Sequence, residues 1–246
     1  MTETTIDTEW LDTHQWGIRA SNDGESYNGF RWATLGYKTT SPDWNPRHEC
    51  GGGLHYLCPE AHGFVMVGNR VELIETHGER VLLKDKAKSP AATIMAVNGD
   101  IPEEAFLRVG IRIAHDGDTV SPRENESWIV LGGTVQITGQ TGGDCRAYDT
   151  ATLNATGQTG GYCRAYDTAT LNATGQTGGD CRAYDTATLN ATGQTGGDCR
   201  AYGTATLNAT GQTGGYCWAS DTATLNATGQ TGGDCWAYGT ATLHKT

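Results

Sequence analysis

The sequence predicts a mainly β protein, with a small α+β N-terminal domain followed by a thin two-sheet β-solenoid of about six 18-residue coils. Three observations predict it. The stretch "TGQTGGDCRAYDTATLNA", Thr138 to Ala155, recurs almost unchanged to the end of the 246-residue chain. A fixed period of this kind is the mark of stacked repeats, and 18 residues is too short for a helical hairpin. The alphabet also narrows near Leu131: five of seven Trp and all six Pro precede it, and Thr, Gly, Ala, Asn, Asp, Cys and Tyr dominate after it. Finally, each repeat alternates small apolar and polar residues with the period of a strand. The domain boundary therefore falls near residue 130, giving a head of residues 1–130 and a repeat domain of residues 131–246.

Composition narrows the function classes. A formal charge of −11 argues against nucleic acid or an anionic membrane as partner, because neutralising phosphates needs clustered Lys and Arg. The repeat half holds eight Asp against four Arg and Lys245, so about −3 of the total lies there and about −8 in the head. Neither half is basic. The chain has no apolar run of membrane-spanning length, and "MTETTIDTEW" has no signal-peptide core. A soluble protein without a secretory signal is expected. The "NAT" triplets then carry no glycan.

In the head, strands are expected over residues 29–37 (GFRWATLGY), 63–68 (GFVMVG), 70–75 (RVELIE), 80–83 (RVLL), 92–97 (ATIMAV) and 109–114 (VGIRIA). "PEEAFLRV", residues 102–109, reads as a short helix with Pro at its start and acids in its first turn. One constellation carries chemistry. Cys50, His55, Cys58 and His62 in "HECGGGLHYLCPEAH" have the thiolate and imidazole ligands that tetrahedral zinc prefers. The spacing matches no standard zinc finger, and an extended His55–Cys58 segment would point those two side chains to opposite faces. The competing expectation is a buried Cys and a hydrogen-bonded His with no cofactor. No phosphate loop, dinucleotide fingerprint or nucleophile elbow is present, and Glu103 and Glu104 are adjacent on a helix and do not face one another. Catalysis is not expected.

Each repeat divides into two strands. In residues 150–156 (TATLNAT), Ala151, Leu153 and Ala155 point inward, and Thr150, Thr152, Asn154 and Thr156 outward. In the other strand Cys145 and Ala147 point inward, leaving Arg146 and Tyr148 outside. The six repeat cysteines, Cys145 to Cys235, are expected as free thiols that fill space. Six coils at roughly 4.8 Å per stacked strand make a rod on the order of 29 Å long. Lys245 falls where other coils have an inward Ala, a charge that would blunt the edge.

Stacking turns each outward position into a ladder. Thr150, Thr168, Thr186, Thr204, Thr222 and Thr240 make one row, and Thr152, Thr170, Thr188, Thr206, Thr224 and Thr242 a second. On the other face Arg146, Arg164, Arg182 and Arg200 give way to Trp218 and Trp236. Tyr148, Tyr166, Tyr184, Tyr202 and Tyr238 form an aromatic row broken by Ser220. Tyr, Arg and Trp are the residue types that anchor interfaces, so this face is a candidate for a protein or glycan partner or for side-by-side self-association. A solvated surface is the alternative. "TGGD" lacks the second half of a calcium-binding repeat.

Two resemblances bear on these motifs. The Thr-x-Thr array resembles the ice-contacting face of antifreeze solenoids and the repeats of bacterial ice-nucleation proteins, which also carry a tyrosine ladder. That likeness implies ice as a partner of the Thr rows. The combination of "YNGFRW", "CGGGLHYLC", "RVELIE" and the repeated "AYDTATLNA" is similar to phage and prophage proteins. In these a domain of unknown function precedes an Ala-Tyr-x-x-Ala-Thr-aliphatic array. It implies a phage-encoded protein, placed in the host cytoplasm or the virion, and no mechanism. The functional expectation is a non-catalytic structural or binding protein acting through repeated ladders. The alternatives are an ice-binding protein, and a toxin- or transferase-like head with the solenoid as spacer.

Overall fold

The computed structural model describes residues 5–26, 29–63 and 68–246. The chain divides into two compact units, Met1–Ile111 and Arg112–Thr246.

The first unit is α+β. Strands β1 (Trp16–Ser21), β2 (Lys38–Thr40), β3 (Leu54–Tyr56), β4 (Arg70–His77), β5 (Val81–Leu82), β6 (Ala87–Ser89) and β7 (Ala91–Val97) form two antiparallel sheets, in the orders β1-β4-β7-β2 and β3-β6-β5. Helix α1 (Thr8–Thr13) is capped by the Asp7 carboxylate, which accepts from the Trp10 amide at 2.9 Å. Helix α2 (Glu103–Arg108) occupies the segment expected to be helical. β4, β5 and β7 coincide with expected strands. Residues 29–37 instead hold one isolated bridge and a turn. Gly29 and Gly36 both have positive φ, which breaks an extended run. The expected strand over 63–68 lies largely outside the described residues. β1 had no period-2 signal because nearly all its positions are buried. Its Arg19 faces Glu72 of β4 in register and pairs with it in the interior. Glu72 also accepts from Ser21 Oγ at 3.0 Å, and Arg19 lies 3.8 Å over the Trp32 ring.

The second unit is a solenoid with two parallel sheets of eight strands each. One sheet begins with β8 (Ile111–Ile113) and β10 (Ser127–Val130), the other with β9 (Thr119–Val120) and β11 (Thr134–Thr138). The stack therefore starts before the exact repeat does. Its first turns are built from varied sequence, which composition alone assigns to the head. From there the pairing is residue on equivalent residue. Cys145 pairs with Cys163 and Cys163 with Cys181; Leu153 pairs with Leu171 and Leu171 with Leu189. The shared core runs from Ala114, Val130 and Ile137 through the Ala, Cys and Leu ladders. Each fully buried Leu contributes roughly 1.5–3 kcal/mol.

The turns explain the rest of the repeat. Tyr148 to Ala151 is a tight turn, closed by the Ala151 amide donating to the Tyr148 carbonyl at 3.1 Å. Its first central residue, Asp149, has φ 54°, and Gly203 and Gly239 fill the same place in later coils. Positive φ at this position is met by Gly, Asn or Asp. At the other corner the coils touch backbone to backbone. A Cβ on Gly160 would lie 2.5 Å from the Thr141 carbonyl oxygen, and one on Gly161 2.5 Å from that of Gly142. The Gly-Gly pair is thus required by close stacking.

Candidate functional site

The Leu-bearing sheet is the more regular of the two surfaces. Its strands run Thr152–Thr156, Thr170–Thr174 and so on at 18-residue intervals. Thr152, Asn154 and Thr156 point outward, and the Thr156 row is exposed in every coil. Between the Thr rows the asparagines bond to one another: Asn172 Nδ2 donates to Asn154 Oδ1 at 2.8 Å, and Asn190 to Asn172 at 2.8 Å. The ladder continues to Asn208 and Asn226. Such amide rows fix the register of stacked strands.

The Thr150 row departs from expectation. It lies in the turn before the strand, and its hydroxyls are already used. Thr168 Oγ1 donates to the Asp149 carbonyl at 2.8 Å, Thr186 to that of Asp167 at 2.7 Å, and Thr204, Thr222 and Thr240 repeat the bond. The Thr152, Thr170, Thr188, Thr206, Thr224 and Thr242 row does lie on the strand. The flat Thr surface is consequently Thr152–Asn154–Thr156 rather than Thr150–Thr152.

On the Cys-bearing sheet, Arg146 and Tyr148 were expected outside and are buried, at 4% and 0% exposure. Arg146 folds onto Asp144, and Arg164 reaches the same carboxylate at 2.6 Å. Arg182 pairs with Asp180 and Arg200 with Asp198, each at 2.6 Å. From Asp144 to Arg200 the charges of this face thus neutralise one another within the chain. Tyr148, Tyr166, Tyr184 and Tyr202 stack with centroids 4.8–5.1 Å apart and rings within 10° of parallel. Burial relaxes along the row: Tyr148 and Tyr166 are buried, Tyr184 and Tyr202 half-buried, and Tyr238 is exposed. Trp218 and Trp236 are exposed as well.

The interior holds a ladder that strand alternation does not assign. Gln140, Gln158, Gln176, Gln194 and Gln212 are buried. Gln158 Nε2 donates to Cys163 Sγ at 2.8 Å, and the Cys163 thiol donates to Gln140 Oε1 at 3.1 Å. Further along, Gln194 and Gln212 turn to the carbonyls of Ala173 and Ala191 at 3.2 and 3.1 Å. The only sequence signal was a Gln at a strict interval inside a turn. The ladder thiols are free. Burial raises the pKa of Cys145 and Cys181 well above 9.0, and a hydrogen bond to Cys217, with burial, does the same for Cys199. Cys235 is held at about 11, mainly by burial.

In the head, Cys50, His55, Cys58 and His62 are not brought together. Among the described residues no three His, Cys, Asp or Glu side chains converge as a metal site would require. Cys50 is exposed in a loop, His55 lies on β3, and Cys58 is buried with its pKa raised to about 11 by desolvation and Glu60. His62 Nδ1 lies 3.3 Å from the Cys58 carbonyl. His55 lines a cavity of about 540 Å³ with Arg19, Trp32, Asp43 and Tyr56, and burial, with Lys86 and Lys88, lowers its pKa.

Among the described residues no helix is long and apolar enough to cross a membrane. No family model matches the chain, and no curated protein or solved structure is significantly similar to it.

Proposed function

We propose that this chain is a non-catalytic structural and binding module whose working parts are the outward ladders of its solenoid. The in-register pairing of equivalent residues supports this reading: Thr152 stacks on Thr170, Thr170 on Thr188, and so on to Thr242. One weak contact per rung, repeated on a fixed spacing, becomes strong attachment without any single strong contact. The Thr–Asn–Thr face is the same in almost every coil and suits a partner that is itself periodic or a second copy laid alongside. The Asp–Arg face spends its charge internally, so its outward contribution comes from its aromatic positions. The resemblance of the repeat to phage-encoded arrays fits a virion or host-cytoplasmic location.

The test is deletion of residues 162–197, two whole periods, which leaves the register intact. Dissociation of the full chain and the deletion from an array of proteins and glycans is then compared. Retention on partners of the Thr face should fall at least tenfold in the deletion, and unchanged retention refutes ladder avidity.

The flat Thr152 and Thr156 rows also favour a second reading, ice binding. Thermal hysteresis in the full chain that disappears in Thr152→Tyr/Thr188→Tyr/Thr224→Tyr would establish it, and its absence from the parent would remove it.

A further inference from the structure

Two rungs of the Cys-bearing sheet break their own pattern. Trp218 and Trp236 stand where earlier coils carry Arg, and the parallel register stacks Trp218 on Arg200 and Trp236 on Trp218. Tyr216, Trp218, Trp236 and Tyr238 are 58%, 38%, 50% and 44% exposed. The Trp218 and Tyr238 rings lie 5.2 Å apart at 54°, and Trp236 and Tyr238 6.0 Å apart at 37°. With Asp198 and Arg200 these four line a depression of about 250 Å³.

The exchange of Arg for Trp changes two things. It opens ring faces to solvent, and it leaves a carboxylate without its neighbour. Asp144, Asp180 and Asp198 each hold an Arg; the equivalent Asp234 is exposed and makes no ion pair among the described residues.

Size and charge select the occupant. At roughly 200 Å² per aromatic side chain the four rings expose about 400 Å² together. A stable protein partner covers about 800 Å² on each side, so the patch is small for a second protein. Asp198, Asp234 and the net charge of −11 repel phosphates. A cation would compete with the Arg200 guanidinium, already 5.9 Å above the Trp218 ring. A neutral ligand with flat apolar faces and a rim of hydroxyls meets none of these obstacles.

We propose that Trp218, Trp236, Tyr216 and Tyr238 form a saccharide-binding site, in which a pyranose ring of a neutral glycan stacks on a tryptophan face. Its hydroxyls bond to the carboxylates of Asp198 and Asp234 and to Arg200. The proposal rests on the reading that the solenoid's outward side chains are the functional ones, and it names the ligand class for one of its faces.

The experiment titrates the full chain with cellohexaose, chitohexaose and maltohexaose, read by tryptophan fluorescence and calorimetry. Trp218→Arg/Trp236→Arg serves as the variant, because it restores the residue the preceding coils fold with. Saturable binding of at least one hexasaccharide is expected, weakened at least tenfold in this variant and unchanged in His55→Ala, a change in the other unit. No saturation by any of the three at about 10 mM, some 2.7 kcal/mol of binding, overturns the proposal. So does equal binding by the Trp variant, or tighter binding of benzyltrimethylammonium than of any sugar. Sedimentation of the same samples separates one further outcome: a dimer that dissociates in the Trp variant, with no sugar bound, makes the patch a contact between copies and overturns the saccharide site. Failure here with persistent partner binding through the Thr face leaves the broader reading standing, whereas partner binding untouched by both solenoid variants removes both.

Discussion

Gln158 Nε2 donates to Cys163 Sγ at 2.8 Å, tying a turn to the following strand inside the buried core of the solenoid. The same amide reaches Gln140 Oε1 in the coil before. A buried polar group that loses its partner costs about 1–3 kcal/mol. Gln158→Leu should therefore destabilise the solenoid by about that amount, read from the denaturant midpoint by circular dichroism. An unchanged midpoint would mean that the Gln ladder is passive filling.

The two kinds of glycine should respond differently. Gly157 has φ 65° with open space around it, whereas Gly161 has φ 78° and the Gly142 carbonyl oxygen 2.5 Å from where a Cβ would sit. Gly157→Ala should cost only the left-handed backbone penalty, about 1–2 kcal/mol. Gly161→Ala should cost more, because the preceding coil must move away. Equal losses would contradict the close backbone stacking.

Alkaline pH should destabilise the solenoid. Cys145, Cys181 and Cys199 have folded-state pKa values raised well above 9.0. Their stabilising contribution is complete below the unfolded value and is lost as pH rises past it, because the unfolded chain releases protons that the folded chain keeps. The loss should set in above about pH 9 and is offset in part by Cys217, whose pKa the hydrogen bond with Cys199 lowers. Thermal melts between pH 8 and pH 10 check this, and a Cys145→Ala/Cys181→Ala/Cys199→Ala variant should flatten the slope. A wild-type melting temperature that holds steady over that range would refute it.

Thiol labelling should be sharply uneven. Cys50 is exposed, whereas Cys58 and Cys145 to Cys217 are buried. Iodoacetamide at pH 8 should modify Cys50 first and Cys235 slowly, the latter with its pKa near 11. The remaining thiols should react only on unfolding. Prompt modification of Cys181 would show that the ladder opens.

Much of the solenoid was legible because one rule, strand alternation, acts identically in every coil: Ala151, Leu153, Ala155, Cys145 and Ala147 are all inside as it requires. Alternation fails where the chain turns. It placed Thr150 on a strand, whereas Asp149 enters the left-handed region and starts a turn there. It assigned no inward role to Gln158, which a corner can still direct into the core. It put Arg146 on one face with Asp144, where the two charges can offset one another, but outside, whereas the pairing folds the Arg down until it is buried. In the head, β1 escaped because a strand buried on both faces has no period of two, and the Cys50–His62 cluster looked coherent only because its members are close in sequence. The aromatic break at Trp218 and Trp236 was visible, but its exposure beside Asp198 and Arg200 needed the coil's geometry.

The proposed function rests on the solenoid's ladders and not on the head. The most direct test is the binding profile of the full chain on a printed array of glycans and proteins. It is compared with those of Thr152→Tyr/Thr188→Tyr/Thr224→Tyr, Trp218→Arg/Trp236→Arg and His55→Ala. Each specific signal should be lost with one solenoid variant or the other and persist in His55→Ala. Signals that both solenoid variants keep and His55→Ala removes would contradict a function on the ladders and move it to the cavity of the head.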